Sequence, residues 1–314
     1  MATRRKSAGS KATSRGSRGG APRPTAIRPG GSNEQERPRG KLMIIGGHED
    51  KEGDRLILTA LARHVGHGKL VVATVASEQP DELWKTYHPL FKQLGVREVA
   101  HLDVGSRQQA KEERSVSVLD GATGVFFNGG DQLKITSQLG DSPIYERIHE
   151  IYRKGGVIAG TSAGASVMAE TMMVSGEGDA SSRIGDLRMA PGFGLLPGVI
   201  IDQHFAERGR IGRLIGAVAQ NPRIVGVGID EDTAIVCAPE RCFEVIGAGA
   251  VYVLDGADIT DTNLTAEATD RTLSVYGIRL HVLTMGDVYL LASREPKSRP
   301  ADEVKRELVG TAAD

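Results

Sequence analysis

The segment around Ser162 has the residue spacing of a nucleophile at a strand-to-helix turn. Residues 160–164 read Gly-Thr-Ser-Ala-Gly, a G-x-S-x-G pattern, between the apolar run 156–159 and the small residues 165–169, which predict a helix. Such a turn lifts a serine hydroxyl clear of the sheet, and the N–H of Ala163 would point to where negative charge develops on an attacked carbonyl. The alternative is a tight glycine-rich turn around a buried serine. The flanking strand and helix patterns favour Ser162 as a nucleophile.

A serine nucleophile needs a base, and His204 is the best candidate among the eight histidines. Residues 199–201, Val-Ile-Ile, predict a short buried strand that delivers Asp202, Gln203 and His204 at its end. The other histidines lie in polar helical stretches, in loops or in a late alternating strand. The competing interpretation of His204 is a hydrogen-bonded histidine at the end of a strand.

The base in turn needs an acid that holds the imidazole in its working tautomer. Residues 225–229, Val-Gly-Val-Gly-Ile, predict another strand, and three carboxylates follow it directly, Asp230, Glu231 and Asp232. The alternating pattern of the strand does not indicate which of the three carboxylates faces the imidazole. A solvated charged loop is the alternative to a catalytic acid here.

The remaining sequence predicts the strands and helices that must position the candidate serine, histidine and acid. Strands alternate with helices as far as residue 229, and from residue 233 onward alternating runs predict antiparallel strands. We therefore predict an α/β fold with a mostly parallel sheet sandwiched by helices, and with antiparallel strands in the C-terminal third. The carboxyl ends of parallel strands open onto one crevice, and the motifs fall directly after predicted strands. Predicted strands include 41–45, 70–76, 99–102 and 124–127, and predicted helices include 54–63, 82–94, 108–115 and 144–153.

Composition divides the chain into a body and two tails. Residues 1–40 hold ten of the 39 lysines and arginines but only two of the 40 acidic residues, and they have no apolar periodicity. Such a segment cannot bury enough surface to offset its ordering entropy, so we predict a disordered basic tail. The single α/β domain is predicted over 41–294, and 295–314 is a charged tail with a possible short helix at 303–308. The chain without residues 1–40 carries a net charge of about −9, whereas the whole chain carries −1.

Several classes of protein are disfavoured by composition. The sequence has no hydrophobic run typical of a secretion signal and no 18-residue apolar span, which predicts a cytoplasmic protein without a membrane partner. Two cysteines in 314 residues make neither a disulfide framework nor a zinc site. The basic tail raises nucleic acid as a partner, but plain solvated disorder is the preferred interpretation.

With these motifs in place, the chain resembles the cyanophycinases, serine peptidases related to peptidase E on a class I glutamine-amidotransferase-like, flavodoxin-like fold. The resemblance covers about residues 41–290 in order. One departure is His48, where a small residue is expected. The strings that carry the resemblance are Gly46-Gly47-His48-Glu49-Asp50-Lys51, Asn128-Gly129-Gly130-Asp131-Gln132, Gly160-Thr161-Ser162-Ala163-Gly164-Ala165-Ser166, and Asp202-Gln203-His204-Phe205 with Arg208, Arg210 and Arg213.

The resemblance implies an activity, a homodimer and a set of site residues. The substrate would be cyanophycin, a polyaspartate with arginine on each β-carboxyl, and exo-type hydrolysis would release β-aspartyl-arginine dipeptides. Ser162, His204 and Glu231 would be the catalytic residues, with Gly130 and Ala163 as oxyanion donors and neither a cofactor nor a metal. The implied substrate-binding residues are Gln132, Asp202, Gln203, Arg208, Arg210 and Arg213.

The chemistry of the polymer agrees with this set. Each unit keeps a free carboxylate and a guanidinium, so a pocket needs cationic and anionic groups placed apart. The three arginines would hold carboxylates, and Asp202, Asp131 or Glu49 would meet guanidinium groups. Without the resemblance, the arginines are better interpreted as a solvated helical face.

Two other functions remain open from the sequence. An α-aspartyl dipeptidase would share the elbow and the fold, although the Asp-Gln before His204 and the arginines after it favour cyanophycin. A non-catalytic binding protein on the same fold, with nucleic acid on the basic tail, is the more distant alternative, and the intact candidate triad argues against it.

Overall fold

A computed structural model describes residues 40–175, 187–238, 242–265 and 271–299. The predicted basic tail, apart from Gly40, and the predicted helix at 303–308 lie outside the described residues. Within the described part, the helices are α1 (Leu56–Val65), α2 (Pro80–Gln93), α3 (Glu113–Ser117), α4 (Gln132–Leu139), α5 (Pro143–Arg153), α6 (Ala163–Ser166) and α7 (Ile211–Gln220), with one 3₁₀ turn at Gln109–Lys111.

The strands are short, and most of them are buried. In chain order they are β1 (Lys41–Ile45), β2 (Lys69–Ala73), β3 (Glu98–Leu102), β4 (Ala122–Phe127), β5 (Val157–Thr161), β6 (Thr171–Ser175), β7 (Arg188–Pro191), β8 (Val199–Gln203), β9 (Val225–Ile229), β10 (Thr233–Ala238), β11 (Cys242–Gly247), β12 (Val251–Asp255), β13 (Asp261–Thr262), β14 (Val275–Tyr276), β15 (Arg279–Leu283), β16 (Val288–Leu290) and β17 (Glu295–Lys297).

A nine-stranded sheet forms the centre, in the order β17-β16-β11-β10-β1-β5-β4-β2-β3. The five strands from β1 to β3 in this order are parallel, and β10, β11, β16 and β17 extend the sheet with antiparallel pairs. The predicted fold class is confirmed: a mostly parallel sheet carries helices on both faces, and antiparallel strands follow in the C-terminal part.

Both faces of the central sheet are covered because its strands are apolar on both sides. In β1, Leu42 and Ile44 pack into the core that includes α4, α5 and α6, whereas Met43 and Ile45 pack into the core formed with α1 and α2. Successive strand residues point to opposite faces, so a continuous apolar run is what a two-sided core requires.

Helix α5 shows how local sequence sets one of these elements. Ser142 caps its start by accepting a hydrogen bond from the N–H of Tyr145 at 3.2 Å, and Pro143 occupies the first turn. Ile144, Ile148 and Ile151 recur at helical spacing and are buried against the sheet.

The strands that precede His204 and Glu231 belong to a second sheet. Strands β8 and β9 pair in parallel, and β12 and β15 extend them in antiparallel fashion, in the order β15-β12-β9-β8. One face of this sheet joins the core of the central sheet, and the other packs against α7. Strands β8 and β9 therefore lie outside the mostly parallel sheet that contains the elbow strand β5. Among the described residues, no helix has the length and apolar character that crossing a membrane requires.

Candidate active site

The loop after β1 connects the two sheets at the site. The N–H of Ser162 donates to Ile45 O at 3.1 Å, the N–H of His204 donates to Gly46 O at 2.8 Å, and the N–H of Asp232 donates to Gly47 O at 2.8 Å. One short backbone segment therefore contacts the nucleophile elbow, the histidine loop and the acidic loop. Hydrogen bonds from three separate chain segments to the same loop fix their relative positions.

Both glycines of this loop are required by close packing. A Cβ at Gly46 would lie 2.0 Å from Asp230 O, and one at Gly47 would lie 2.2 Å from Cε1 of His204. Gly47 also has a φ of +112°, in the region that favours glycine. The sequence analysis used these residues only as part of a matching string and missed their structural role.

Ser162 lies at a sharp turn between β5 and α6. Its φ of +54° and ψ of −112° are unusual for a residue with a side chain, and such strain is concentrated at functional sites. A Cβ at Gly129 would lie 3.3 Å from the Ser162 Cβ, and one at Gly160 would lie 2.2 Å from Gly164 O. The small neighbours let the strand, the turn and the following helix approach closely, as the elbow pattern predicts.

Three side chains form a continuous hydrogen-bonded chain. Ser162 Oγ lies 2.8 Å from His204 Nε2, and His204 Nδ1 lies 2.6 Å from Glu231 Oε1. The His204 side chain is 4% exposed, while that of Glu231 is 30% exposed. A neutral imidazole with its proton on Nδ1 donates to Glu231 and leaves Nε2 free to accept the serine proton. This arrangement suits nucleophilic catalysis by a serine.

The three consecutive carboxylates have three different partners. Asp230 accepts hydrogen bonds from the N–H of Ala206 at 2.9 Å and that of Ala250 at 3.1 Å, which fixes the histidine loop to the start of β12. Asp232 accepts from the N–H of Asp50 at 2.8 Å. Of the three, Glu231 is the carboxylate within hydrogen-bond distance of the imidazole, at 2.6 Å.

The surroundings of His204 favour the neutral ring. Burial lowers the pKa of His204 from its ordinary value, and the positive charge of Arg208 lowers the pKa further. The hydrogen bond to Glu231 acts in the opposite direction and raises the pKa. The net shift is downward. The imidazole therefore stays neutral, and available as a base, to a lower pH than an exposed histidine does.

Ser162 and His204 open onto a cleft of about 600 Å³, within the range of small-ligand sites. Of the residues predicted from the sequence, Gly130, Gln132, Gln203, Arg208, Arg210 and Arg213 also line this cleft. Gln132 donates from its Nε2 to Met173 O. Gly130, with a φ of +140°, lies in the loop between β4 and α4, and Ala163 is the first residue of α6, directly after Ser162.

The arginines form the cationic side of the cleft. Arg213 contacts both oxygens of Asp202, with Nε to Oδ2 at 2.6 Å, and Arg210 Nη1 lies 3.2 Å from Oδ1 of the same carboxylate. Arg210 also donates to Gln203 Oε1 at 2.9 Å. Arg208 is exposed and pairs with no carboxylate among the described residues.

Asp202 lies behind the cleft. Its side chain is 1% exposed, and both of its oxygens are bound by guanidinium groups of the protein itself. A direct contact with a substrate guanidinium, as the sequence analysis expected, does not fit this position. Because a buried carboxylate needs paired charges, Asp202 instead holds Arg210 and Arg213 at the cleft wall.

Glu49 is an acidic residue in the lining of the cleft. Its side chain is 1% exposed and accepts hydrogen bonds from Tyr87 OH at 2.5 Å and Thr161 Oγ1 at 2.6 Å, while Lys51 Nζ lies 3.1 Å away. Burial and the neighbouring Glu49 hold the pKa of Tyr87 well above its ordinary value, so the phenol is a donor. Asp131, the other expected guanidinium contact, caps α4 by accepting from the N–H of Leu133. Sequence reasoning did not single out Tyr87, which belongs to no motif, and it gave Thr161 only as a variable position of the elbow pattern.

Comparisons with known proteins show what this chain is similar to. The model of Peptidase family S51 matches residues 42–245. A cyanophycinase of Synechococcus elongatus is 38% identical over 260 residues, which are 82% of this chain and 81% of that protein. A cyanophycinase of a Nostoc species is 38% identical over 256 residues, which are 81% of this chain and 86% of that protein. A crystal structure of a peptidase from an acI-B1 Actinobacterium covers 84% of this chain and 99% of its own, with a TM-score of 0.59 and 23% identity, and supports the fold.

Proposed function

The chain belongs to peptidase family S51, and from that membership we propose that this serine peptidase is a cyanophycinase. The observation that carries the proposal is the position of the Ser162–His204–Glu231 chain at one end of a cleft with three arginines on its wall. The hydrogen-bonded Ser162–His204–Glu231 chain supplies the chemistry of a serine peptidase. The arginines supply cationic groups for a polymer that carries a free carboxylate on every unit.

In the proposed reaction, Ser162 attacks the backbone carbonyl while His204 Nε2 accepts its proton. The tetrahedral oxyanion accepts hydrogen bonds from the N–H groups of Gly130 and Ala163, and Glu231 stabilises the imidazolium. His204 then protonates the leaving amine, which leaves an acyl-enzyme on Ser162. Water activated by the same imidazole hydrolyses the acyl-enzyme and restores the serine.

We propose that the arginines of the cleft recognise the substrate. Arg208, Arg210 and Arg213 bind carboxylates of the polymer, and Asp202 holds the last two in place. Gln132 and Gln203 supply amide contacts beside the scissile bond. Glu49 also lines the cleft, but its buried carboxylate is already bound by groups of the protein, so a direct contact with a substrate guanidinium does not fit its position. The polymer would enter by one end, so that dipeptides are released without internal cleavage.

One assay tests this function. The protein is incubated with insoluble cyanophycin, and the soluble products are identified by mass over time. We expect β-aspartyl-arginine as the first and main product, with no longer fragments accumulating. Hydrolysis of α-aspartyl dipeptides with inert cyanophycin would instead assign a dipeptidase, and larger fragments at early times would contradict exo-type cleavage.

The role of Ser162 has a matched control in the same segment. Ser162→Ala removes the covalent route, so we expect it to bind polymer but to release no dipeptide above background. Ser166, which is 2% exposed on α6, does not line the cleft. Ser166→Ala should therefore keep activity of the wild-type order. Dipeptide release by Ser162→Ala near the wild-type rate would refute the mechanism.

Two further expectations from the sequence remain proposals: a homodimer and a cytoplasmic location. Sedimentation of the purified protein tests the first, and fractionation of cells that produce it tests the second. Neither expectation enters the mechanism above.

A further inference from the structure

His48 brings a second imidazole to the candidate triad. Its Nε2 lies 3.7 Å from Glu231 Oε1, and its ring lies edge-on to the His204 ring with centroids 5.3 Å apart. The His48 side chain is 71% exposed, whereas that of His204 is 4% exposed. His48 thus approaches, from the solvent side, the same carboxylate oxygen that His204 contacts from within.

The three side chains present one set of metal donors. One atom each from His48, His204 and Glu231 lie within 4.8 Å of one another. Two imidazoles and a carboxylate are a donor set that Zn²⁺ takes in open sites, where the fourth position holds water. Tetrahedral Zn²⁺ with bonds of about 2.0–2.1 Å spaces its donors by roughly 3.3 Å. The distances of 2.6 and 3.7 Å from Glu231 Oε1 lie on either side of that spacing.

The local backbone holds His48 in this position. His48 has a φ of +48°, and it follows Gly47, whose carbonyl accepts the N–H of Asp232. A non-glycine residue in this region is uncommon, and glycine is the residue that adopts it without strain. Because the His48 side chain is exposed and its Nε2 already lies 3.7 Å from Glu231 Oε1, a metal ion requires only small movements of His48 and Glu231.

We propose that His48, Glu231 and His204 Nδ1 form an inhibitory site for a divalent transition-metal ion such as Zn²⁺. This inference rests on the proposed role of His204 as the base. A neutral imidazole binds a metal through Nδ1 only when its proton is on Nε2. In that tautomer His204 Nε2 carries the proton, so it cannot accept the proton of Ser162. Glu231, bound to the metal, also no longer accepts a hydrogen bond from His204 Nδ1. Metal binding therefore stops the reaction while leaving the serine in place.

The proposal predicts zinc affinity that depends on His48. Zinc binding to the wild-type protein is measured by titration calorimetry and compared with His48→Asn, because asparagine tolerates a positive φ but is a poor zinc ligand. We expect binding to weaken at least tenfold in His48→Asn. His67, an exposed histidine near the end of α1, supplies the control, and His67→Asn should keep the wild-type affinity. Equal affinity of His48→Asn and wild type would overturn the proposed site.

A second measurement tests the inhibitory effect without the polymer. Labelling of Ser162 by a fluorophosphonate is followed with and without Zn²⁺, each variant relative to its own metal-free rate. We expect Zn²⁺ to slow labelling of the wild type, EDTA to restore it, and at least ten times more Zn²⁺ to be needed in His48→Asn. Zinc that binds through His48 but leaves labelling unchanged would refute inhibition. Because calorimetry needs no turnover, failure of the protein to hydrolyse cyanophycin would be distinguishable from failure of this proposal.

Discussion

Glu231 and Asp232 are adjacent carboxylates with separate partners, and this separation allows a test at the scale of single residues. Glu231→Gln keeps the size of the side chain but removes the charge that stabilises a protonated His204. We expect kcat for dipeptide release to fall about 10,000-fold with little change in KM, as for other triad acids. Asp232→Asn keeps an oxygen that can accept the N–H of Asp50 and should retain activity of the wild-type order. An equal loss in both variants would contradict the assignment of Glu231.

We expect Arg208 to influence the catalytic pH range in addition to its proposed role in substrate binding. The nearby positive charge lowers the pKa of His204, so its removal in Arg208→Gln raises that pKa. Only the neutral imidazole is a base, and activity is therefore lost as the pH falls through the His204 pKa. We expect the acid limb of the kcat/KM profile of Arg208→Gln to move to higher pH.

A matched variant separates the two effects of Arg208. Arg213 also lines the cleft, but it is not among the groups that shift the pKa of His204. Arg213→Gln should raise KM and leave the acid limb in place. An equal shift of the acid limb in Arg208→Gln and Arg213→Gln would contradict a specific electrostatic effect of Arg208 on His204.

At the scale of elements, the loop after β1 determines how the two sheets meet. Gly47→Ala would place a methyl group 2.2 Å from Cε1 of His204 and would also strain the backbone at a φ of +112°. Displacing a catalytic group by about 1 Å can cost roughly 100-fold in rate. We expect kcat/KM of Gly47→Ala to fall by at least that factor, with a loss of about 1–3 kcal/mol in the free energy of unfolding.

Gly216 on α7 supplies the control for Gly47. A Cβ at Gly216 would meet no heavy atom of the described residues within 4 Å, and alanine favours a helix over glycine by about 1 kcal/mol. Gly216→Ala should be as stable as the wild type or more stable, with unchanged activity. Comparable kinetics of Gly47→Ala and wild type would show that the loop does not position His204.

Across the whole molecule, the sequence predicted what depends on local pattern. The elbow, the strand before His204 and the strand before the acidic loop follow from runs of five to ten residues, and each is found close to its predicted bounds. The pattern could not assign β8 and β9 to a second sheet, because a buried strand has the same apolar character in either sheet. It also could not show that Asp202 is paired, since its partners come from the next helix. The contacts of Gly46 and Gly47 join residues far apart in the chain, and no local pattern reports them.

Partly buried histidines make the stability of the folded domain depend on pH. Burial lowers the pKa of His64 to about 4, with the charge of Lys41 acting in the same direction, and burial also lowers the pKa values of His101 and His149. An unfolded histidine takes up its proton near pH 6.5. Between about pH 6.5 and 4 the unfolded state therefore binds more protons than the folded state. The free energy of unfolding must then fall as the pH falls through this window.

The size of this effect follows from the number of protons taken up. Each additional proton bound by the unfolded state contributes a slope of about 1.4 kcal/mol per pH unit. We expect urea unfolding at pH 7.5, 6.5 and 5.5 to give a stability that falls by about 1 kcal/mol or more per unit below pH 6.5. His64→Gln should reduce that slope, whereas replacing the exposed His67 by Gln should not. A stability that is flat or rises over this range would mean that these histidines are as well solvated in the folded protein as in the unfolded chain.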